Sequence, residues 1–180
     1  MNMNKIVTAL GFSAIMVCGS VMAAGNMGGG KVTFIGEIIN APCSVAPESV
    51  DQIVQLGQVS TKELVIGGES DAQPFTISLR NCEIDEGLDS LKVTFSGVAD
   101  PLQAGLLILS SGEAKGAGIA MTAPGGSKVE LGKPTAAFKL TNGNNDLIFN
   151  AALKGYAVQD AQPLVAGAFT AVTNFVLAYE

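Results

Sequence analysis

Gly30-Lys31-Val32-Thr33-Phe34-Ile35-Gly36-Glu37-Ile38-Ile39-Asn40-Ala41-Pro42-Cys43 is the stretch on which the reading of the fold turns. Val32, Phe34, Gly36 and Ile38 fall on one pleat face, and Lys31, Thr33, Ile35, Glu37 and Ile39 on the other. That period of two belongs to a β-strand, not to a helix with 3.6 residues per turn. Two readings compete. In one, the segment is the first core strand of its own domain; in the other, it is a detachable strand that pairs with another chain. Gly36 within the apolar face is odd for an intramolecular core strand, because a strand glycine marks a close approach or a shallow pocket. Just upstream, Gly25, Gly28, Gly29 and Gly30 make a flexible approach to the strand.

The same period runs through the rest of the chain. Phe75-Thr76-Ile77-Ser78-Leu79, Val93-Thr94-Phe95 and Phe169-Thr170-Ala171-Val172-Thr173 alternate, and Phe175-Val176-Leu177-Ala178-Tyr179 continues the last of these. Turn chemistry separates the runs: Gly67-Gly68, Asp100-Pro101, Pro124-Gly125-Gly126 and Asn142-Gly143-Asn144-Asn145-Asp146. Strands are expected over Gln52–Leu56, Phe75–Asn81, Lys92–Gly97, Leu106–Ser110, Gly118–Ala123, Leu147–Val158 and Ala168–Tyr179, with a short helix over Thr61–Val65. Many short strands without a long amphipathic helix predict an all-β sandwich. No repeat of fixed period is present, which argues against a propeller or β-helix.

Composition narrows the function. The 180 residues carry a net charge of −6 and a pI near 4.6, leaving no basic footprint for nucleic acid. Histidine is absent, so no Ser–His–Asp or Cys–His nucleophile exists. Lys5 followed by the apolar run Ile6–Val17 and by Val21-Met22-Ala23 reads as a secretory leader over residues 1–23, cleaved before Ala24. The run is far short of the about 20 apolar residues that a membrane span needs. Cys18 raises a lipoprotein reading, but Val17 before it is larger than the Gly or Ala that such cleavage prefers. Secretion leaves Cys43 and Cys82 as a pair in an oxidising compartment, most simply a disulfide. Two free thiols or a metal site are the alternatives, and a metal site would need histidine partners.

Other candidate chemistry reads as structure. Glu83, Asp85, Glu86 and Asp89 do not have the spacing of a calcium loop and read as a solvated loop. Gly28–Gly30 is followed by neither Lys-Ser/Thr nor a helix, so it is no phosphate cradle. No catalytic, metal or cofactor constellation is expected.

The chain resembles the subunits of chaperone–usher fimbriae, most closely the major pilins of type 1 and P pili. Gly30 to Cys43 is similar to their N-terminal extension. Val50-Asp51-Gln52 through Leu56-Gly57-Gln58-Val59, then Leu79-Arg80-Asn81-Cys82, and last Phe169 to Phe175 running into the penultimate Tyr179, follow in the family's order. Glu180 departs from it, since an uncharged residue is more usual at that terminus.

The resemblance implies an incomplete immunoglobulin-like sandwich that lacks its last strand and is completed by a strand donated from another chain. It implies residues 24–42 as the donor extension and residues 43–180 as the sandwich domain. Val32, Phe34, Gly36 and Ile38 become the inserting face. Tyr179 and the carboxylate of Glu180 become the terminus held by a periplasmic chaperone. The implied function is a structural subunit of an adhesive surface fimbria, secreted through the periplasm and polymerised at an outer-membrane usher. The implied partners are neighbouring identical subunits, the chaperone, the usher and, for the whole fibre, a host-surface receptor. A minor adaptor subunit or a glycan-binding adhesin module is the alternative; tip adhesins of the family are about twice this long, which favours the shaft.

Overall fold

Pro47 ends the first strand as soon as it has begun. The computed structural model describes residues 29–85, 87–160 and 162–180; the expected leader over residues 1–23 and the first part of the expected extension lie outside them. Strand β1 (Ser44–Val45) pairs antiparallel with β2 (Gln73–Cys82), Ser44 opposite Arg80 and Val45 opposite Leu79. Proline cannot donate to a ladder and is preorganised for the first turn of a helix. The chain therefore turns into a short helix, α1 (Pro47–Val50). Buried Ser49 substitutes for the lost strand: its Oγ donates to the Thr76 carbonyl at 3.2 Å and accepts from the Ser78 N–H at 2.9 Å.

The remaining strands are β3 (Ser90–Ser96), β4 (Leu107–Ile108), β5 (Ser111–Gly112), β6 (Ala117–Thr122), β7 (Phe138–Lys139), β8 (Gly143–Gly155), β9 (Phe169–Thr170) and β10 (Asn174–Tyr179). A five-stranded sheet has the order β1-β2-β8-β6-β4, a three-stranded sheet the order β10-β3-β7, and β5 pairs with β9. All these pairings are antiparallel. The core lies between the two larger sheets. Ile77, Leu79 and Phe149 come from one, and Leu91, Val93 and Phe95 from the other. Phe95 meets Phe149 edge-on at 5.0 Å between ring centres, and Phe75 stacks on Phe149 at 5.6 Å, geometries that aromatic quadrupoles favour. The all-β sandwich expected from the periodicity is the observed architecture.

Four local expectations change. Gln52–Leu56 alternates between half-buried and exposed residues as a strand would, yet forms no ladder. The helix expected over Thr61–Val65 is a turn leading into a 3₁₀ turn at Val65–Gly67. There Leu64 is buried and its carbonyl faces Gly155 so closely that any Cβ at Gly155 would collide with it. The turn expected over Asn142–Asp146 is shorter than that. Gly143, at φ 95°, makes the reversal, and β8 begins at once, with Asn145 and Asp146 opposite Leu79 and Ser78. Asn145 takes over the turn's polar groups, its Oδ1 accepting from the Thr141 N–H and its Nδ2 donating to the Thr141 carbonyl. Finally, the strand expected over Ala168–Tyr179 breaks at Ala171–Thr173 because its halves serve different sheets: β9 pairs with β5 and β10 with β3.

Residues 29–37 form a unit of their own without helix or strand. Val32, Phe34 and Ile38 are exposed to 75%, 91% and 101%. Residues 29–40 are exposed throughout and belong to no strand.

Candidate functional site: the edge of the C-terminal strand

The C-terminal strand β10 is held along one edge only. Its ladder with β3 runs from Asn174 opposite Ser96 to Tyr179 opposite Leu91, and among the described residues no strand lies on its other edge. The burial across this ladder is uneven. Phe175 sits opposite Phe95, Leu177 opposite Val93, and Tyr179 opposite Leu91. Directly opposed residues of an antiparallel pair point to the same face, so each pair enters the same core. Yet Phe95, Val93 and Leu91 are 1%, 0% and 0% exposed, while Phe175, Leu177 and Tyr179 are only half-buried. The difference is one of position: among the described residues β10 is the edge of its sheet and β3 lies inside it.

Other half-buried apolar side chains rest on that core as well. Leu56 and Val59 come from the extended stretch that forms no ladder, and Ala171 from the break before β10. An exposed sheet edge beside apolar side chains is a template for a further strand. Backbone N–H and C=O groups along the edge supply affinity, and alternate side chains supply selectivity.

At the end of β10 the terminus is anchored within the chain. The Glu180 N–H donates to the Ser90 carbonyl at 2.8 Å, and the Glu180 carbonyl accepts from the Ser90 N–H at 2.9 Å and from Ser90 Oγ at 3.2 Å. Lys92 Nζ donates to Glu180 Oε1 at 2.7 Å. Burial holds the Tyr179 phenol above its ordinary range, and its hydroxyl, buried as an atom, has no hydrogen-bond partner among the described residues. Cys43 and Cys82 are bonded to each other with Cα atoms 4.1 Å apart and both buried. Val32, Phe34 and Gly36 lie in the 29–37 unit, where a Cβ at Gly36 would meet nothing within 4 Å.

Two features escaped the sequence reading. The uneven ladder is invisible to periodicity, because β3 and β10 alternate equally well. The buried pair of Tyr156 and Asp100 was also missed. Tyr156 donates its hydroxyl to Asp100 Oδ2, while Asp100 Oδ1 accepts from the Leu102 and Gln103 N–H groups. A buried tyrosine needs such a partner for its hydroxyl, and Tyr156, directly after β8, was the available signal. Elsewhere, a shallow cleft of about 400 Å³ is lined by residues that include Glu69, Lys128 and Lys154. Glu69 and Lys154 neutralise each other there at 2.9 Å, and the cleft presents no nucleophile beside a base.

Comparison with known proteins agrees with this geometry. A family model described as "Fimbrial protein" matches residues 32–180. The chain is 43% identical to the major MR/P fimbria protein of Proteus mirabilis (strain HI4320) over all of both chains. It is 42% identical to the fimbria A protein of Serratia marcescens, again over all of both. Among solved structures it is similar to a subunit from a chaperone–usher pilus described in connection with rod uncoiling. There the TM-score is 0.75 and the identity 32%, with 86% of this chain and 97% of that one covered. The P pilus rod subunit PapA matches with a TM-score of 0.68 and 30% identity, covering 78% of this chain and all of that one.

Proposed function

Because this chain belongs to the fimbrial protein family and is a structural pilin with an immunoglobulin-like fold, not an enzyme, we propose that it enters its fibre by strand donation. Its relatives place it in a surface fimbrium, where subunits pair with further subunits. In this reading residues 1–23 are removed on export, and residues 24–42 are the donor extension of the sandwich formed by residues 43–180. Val32, Phe34, Gly36 and Ile38 enter the core beside β10 of a neighbouring copy. A periplasmic chaperone covers that core first, in contact with Tyr179 and Glu180, and an outer-membrane usher is the site of exchange.

The observation that carries the proposal is the uneven β3–β10 ladder. Phe175, Leu177 and Tyr179 are only half-buried where their directly opposed partners are fully covered. One added strand covers them and satisfies the open backbone edge. The alternation of Val32, Phe34, Gly36 and Ile38 in the sequence, on a segment exposed throughout, suits the inward face of such a strand. Likeness to a major fimbria protein and to a pilus rod subunit supports the shaft over an adaptor or a glycan-binding adhesin module.

The test is a denaturing gel of surface material run with and without boiling. Strand-donated fibres give a high-molecular-weight ladder that collapses to one subunit band only on heating. A single monomer band without boiling overturns the proposal.

A further inference from the structure

We propose that in the fibre Lys31 of one copy pairs with Glu180 of its neighbour, and that this pair, together with Ile35 against Val176, sets the register of the donated strand. The inference rests on the strand-donation reading and adds to it a specific alignment.

The residues leave few alignments open. Every strand pairing in the domain is antiparallel, and an antiparallel strand beside β10 must place Val32, Phe34, Gly36 and Ile38 on the face of Phe175, Leu177 and Tyr179. Registers then differ by steps of two residues. With Gly36 opposite Phe175, Phe34 falls opposite Leu177, Val32 opposite Tyr179 and Ile38 opposite Thr173. The residue without a side chain lies beside the Phe175 ring, which already packs on Phe95 at 6.4 Å between ring centres. On the outward face the same alignment sets Lys31 opposite Glu180, Thr33 opposite Ala178, Ile35 opposite Val176 and Glu37 opposite Asn174. Ile35 and Val176, exposed in the subunit, cover each other. Glu180 receives a second lysine on the side away from Lys92.

The neighbouring registers lose these matches. One step one way sets Glu37 against Val172 and Ile35 against Asn174, and leaves Glu180 opposite Gly29. One step the other way sets Glu37 against Val176 and carries Lys31 past the end of β10. A parallel strand with Gly36 opposite Phe175 places Ala41, not a cation, against Glu180. Apolar and opposite-charge pairs directly across a sheet stabilise it, and mismatched ones do not. Glu180, unusual as a terminal residue, thereby gains a cation from the neighbour in addition to its own Lys92.

The experiment is cysteine cross-linking in fibres assembled from the full chain, with Lys31 and Glu180 left in place. Directly opposed Cβ atoms lie about 4.5–5.5 Å apart, close to disulfide reach, whereas residues one step out of register do not. Ile35→Cys with Val176→Cys should give a heat-resistant, reducible ladder. Thr33→Cys or Glu37→Cys with Val176→Cys should not. Fibres that link through either of the latter pairs, or through none, overturn the register.

If a cysteine variant does not assemble, charge exchange decides. Lys31→Glu should speed dissociation in heat or denaturant by about two- to fivefold. Because Glu180→Lys also gives up the pair with Lys92, Lys31→Glu with Glu180→Lys should dissociate more slowly than the sum of the two single losses requires, and additive losses overturn the pairing. A chain lacking residues 24–42 that still polymerises would instead sink the strand-donation reading itself.

Discussion

Gly36 concentrates the mechanism in a single position. Within its own subunit a Cβ there meets nothing within 4 Å, so a larger residue leaves folding untouched. In the proposed donor strand the same side chain would face the packed core beside Phe175 of a neighbouring copy. Overpacking costs about 1–3 kcal/mol, and a buried amide without partners adds to it. Gly36→Asn is therefore expected to abolish or strongly reduce polymer yield while the melting temperature of its chaperone complex stays that of the parent. A lowered melting temperature of that complex, or full polymer yield, contradicts the assignment.

Tyr156 is the contrasting residue, important to the fold and remote from assembly. Tyr156→Phe leaves Asp100 Oδ2 buried without its donor, which should cost about 1–3 kcal/mol in denaturant unfolding. Burial, and then the hydrogen bond to Asp100, push the Tyr156 phenol above its ordinary value of 10.0. A raised folded-state value means that its contribution is complete below pH 10 and is lost as the pH rises beyond it. The parent should thus lose stability with alkali more steeply than Tyr156→Phe does.

At the scale of elements, the proposed strand donation makes donor and acceptor separate parts of one chain. In that reading β10 and β3 are the acceptor edge, and none of the described residues 29–42 belongs to their ladder. Removing residues 24–42 should give a body that the chaperone still captures, since capture uses the open edge alone, but that cannot extend a fibre. Co-purification with the chaperone, followed by an assembly assay, measures both halves. Fibres from the truncated chain, or loss of chaperone capture, would show that the two functions are not divided in this way. The same division explains why Ala171–Thr173 interrupts the last strand. Phe169–Thr170 is committed to β5, so only Asn174–Tyr179 is free to present its outer edge.

For the molecule as a whole, the disulfide and the missing coverage act in opposition. A sandwich with part of its core uncovered buries less apolar surface than a closed one, and domains of this size are only marginally stable. The Cys43–Cys82 bond joins the start of the body to the end of β2 across 39 positions. In the chain-entropy description that constrains the unfolded chain by roughly 4 kcal/mol. Cys82→Ser is expected to be strongly depleted from the periplasm, with recovery when the chaperone is overproduced. Parental amounts of soluble subunit without the bond would show that the domain does not depend on it.

Much of this was legible in the sequence, because strand character is local. β-Branched and aromatic residues at a period of two, set between Gly, Pro and Asn turns, led to an all-β sandwich and to most of its strands, since a pleat's alternation follows from backbone sterics alone. The paired cysteines and the alternation of Val32, Phe34, Gly36 and Ile38 were equally visible. Tertiary structure decided what depends on neighbours. Phe95 and Phe175 look alike in sequence, and only the placement of β3 inside its sheet and β10 at the edge makes one fully covered and the other half-open. Gln52–Leu56 has a strand's alternation but no ladder, and Asn144–Asp146 has a turn's composition but lies in β8. In each case hydrogen-bond partners far along the chain, or their absence, override local preference. The sequence specifies which residues can form a strand's inward face; only the assembled sheets determine whether another strand is there to cover it.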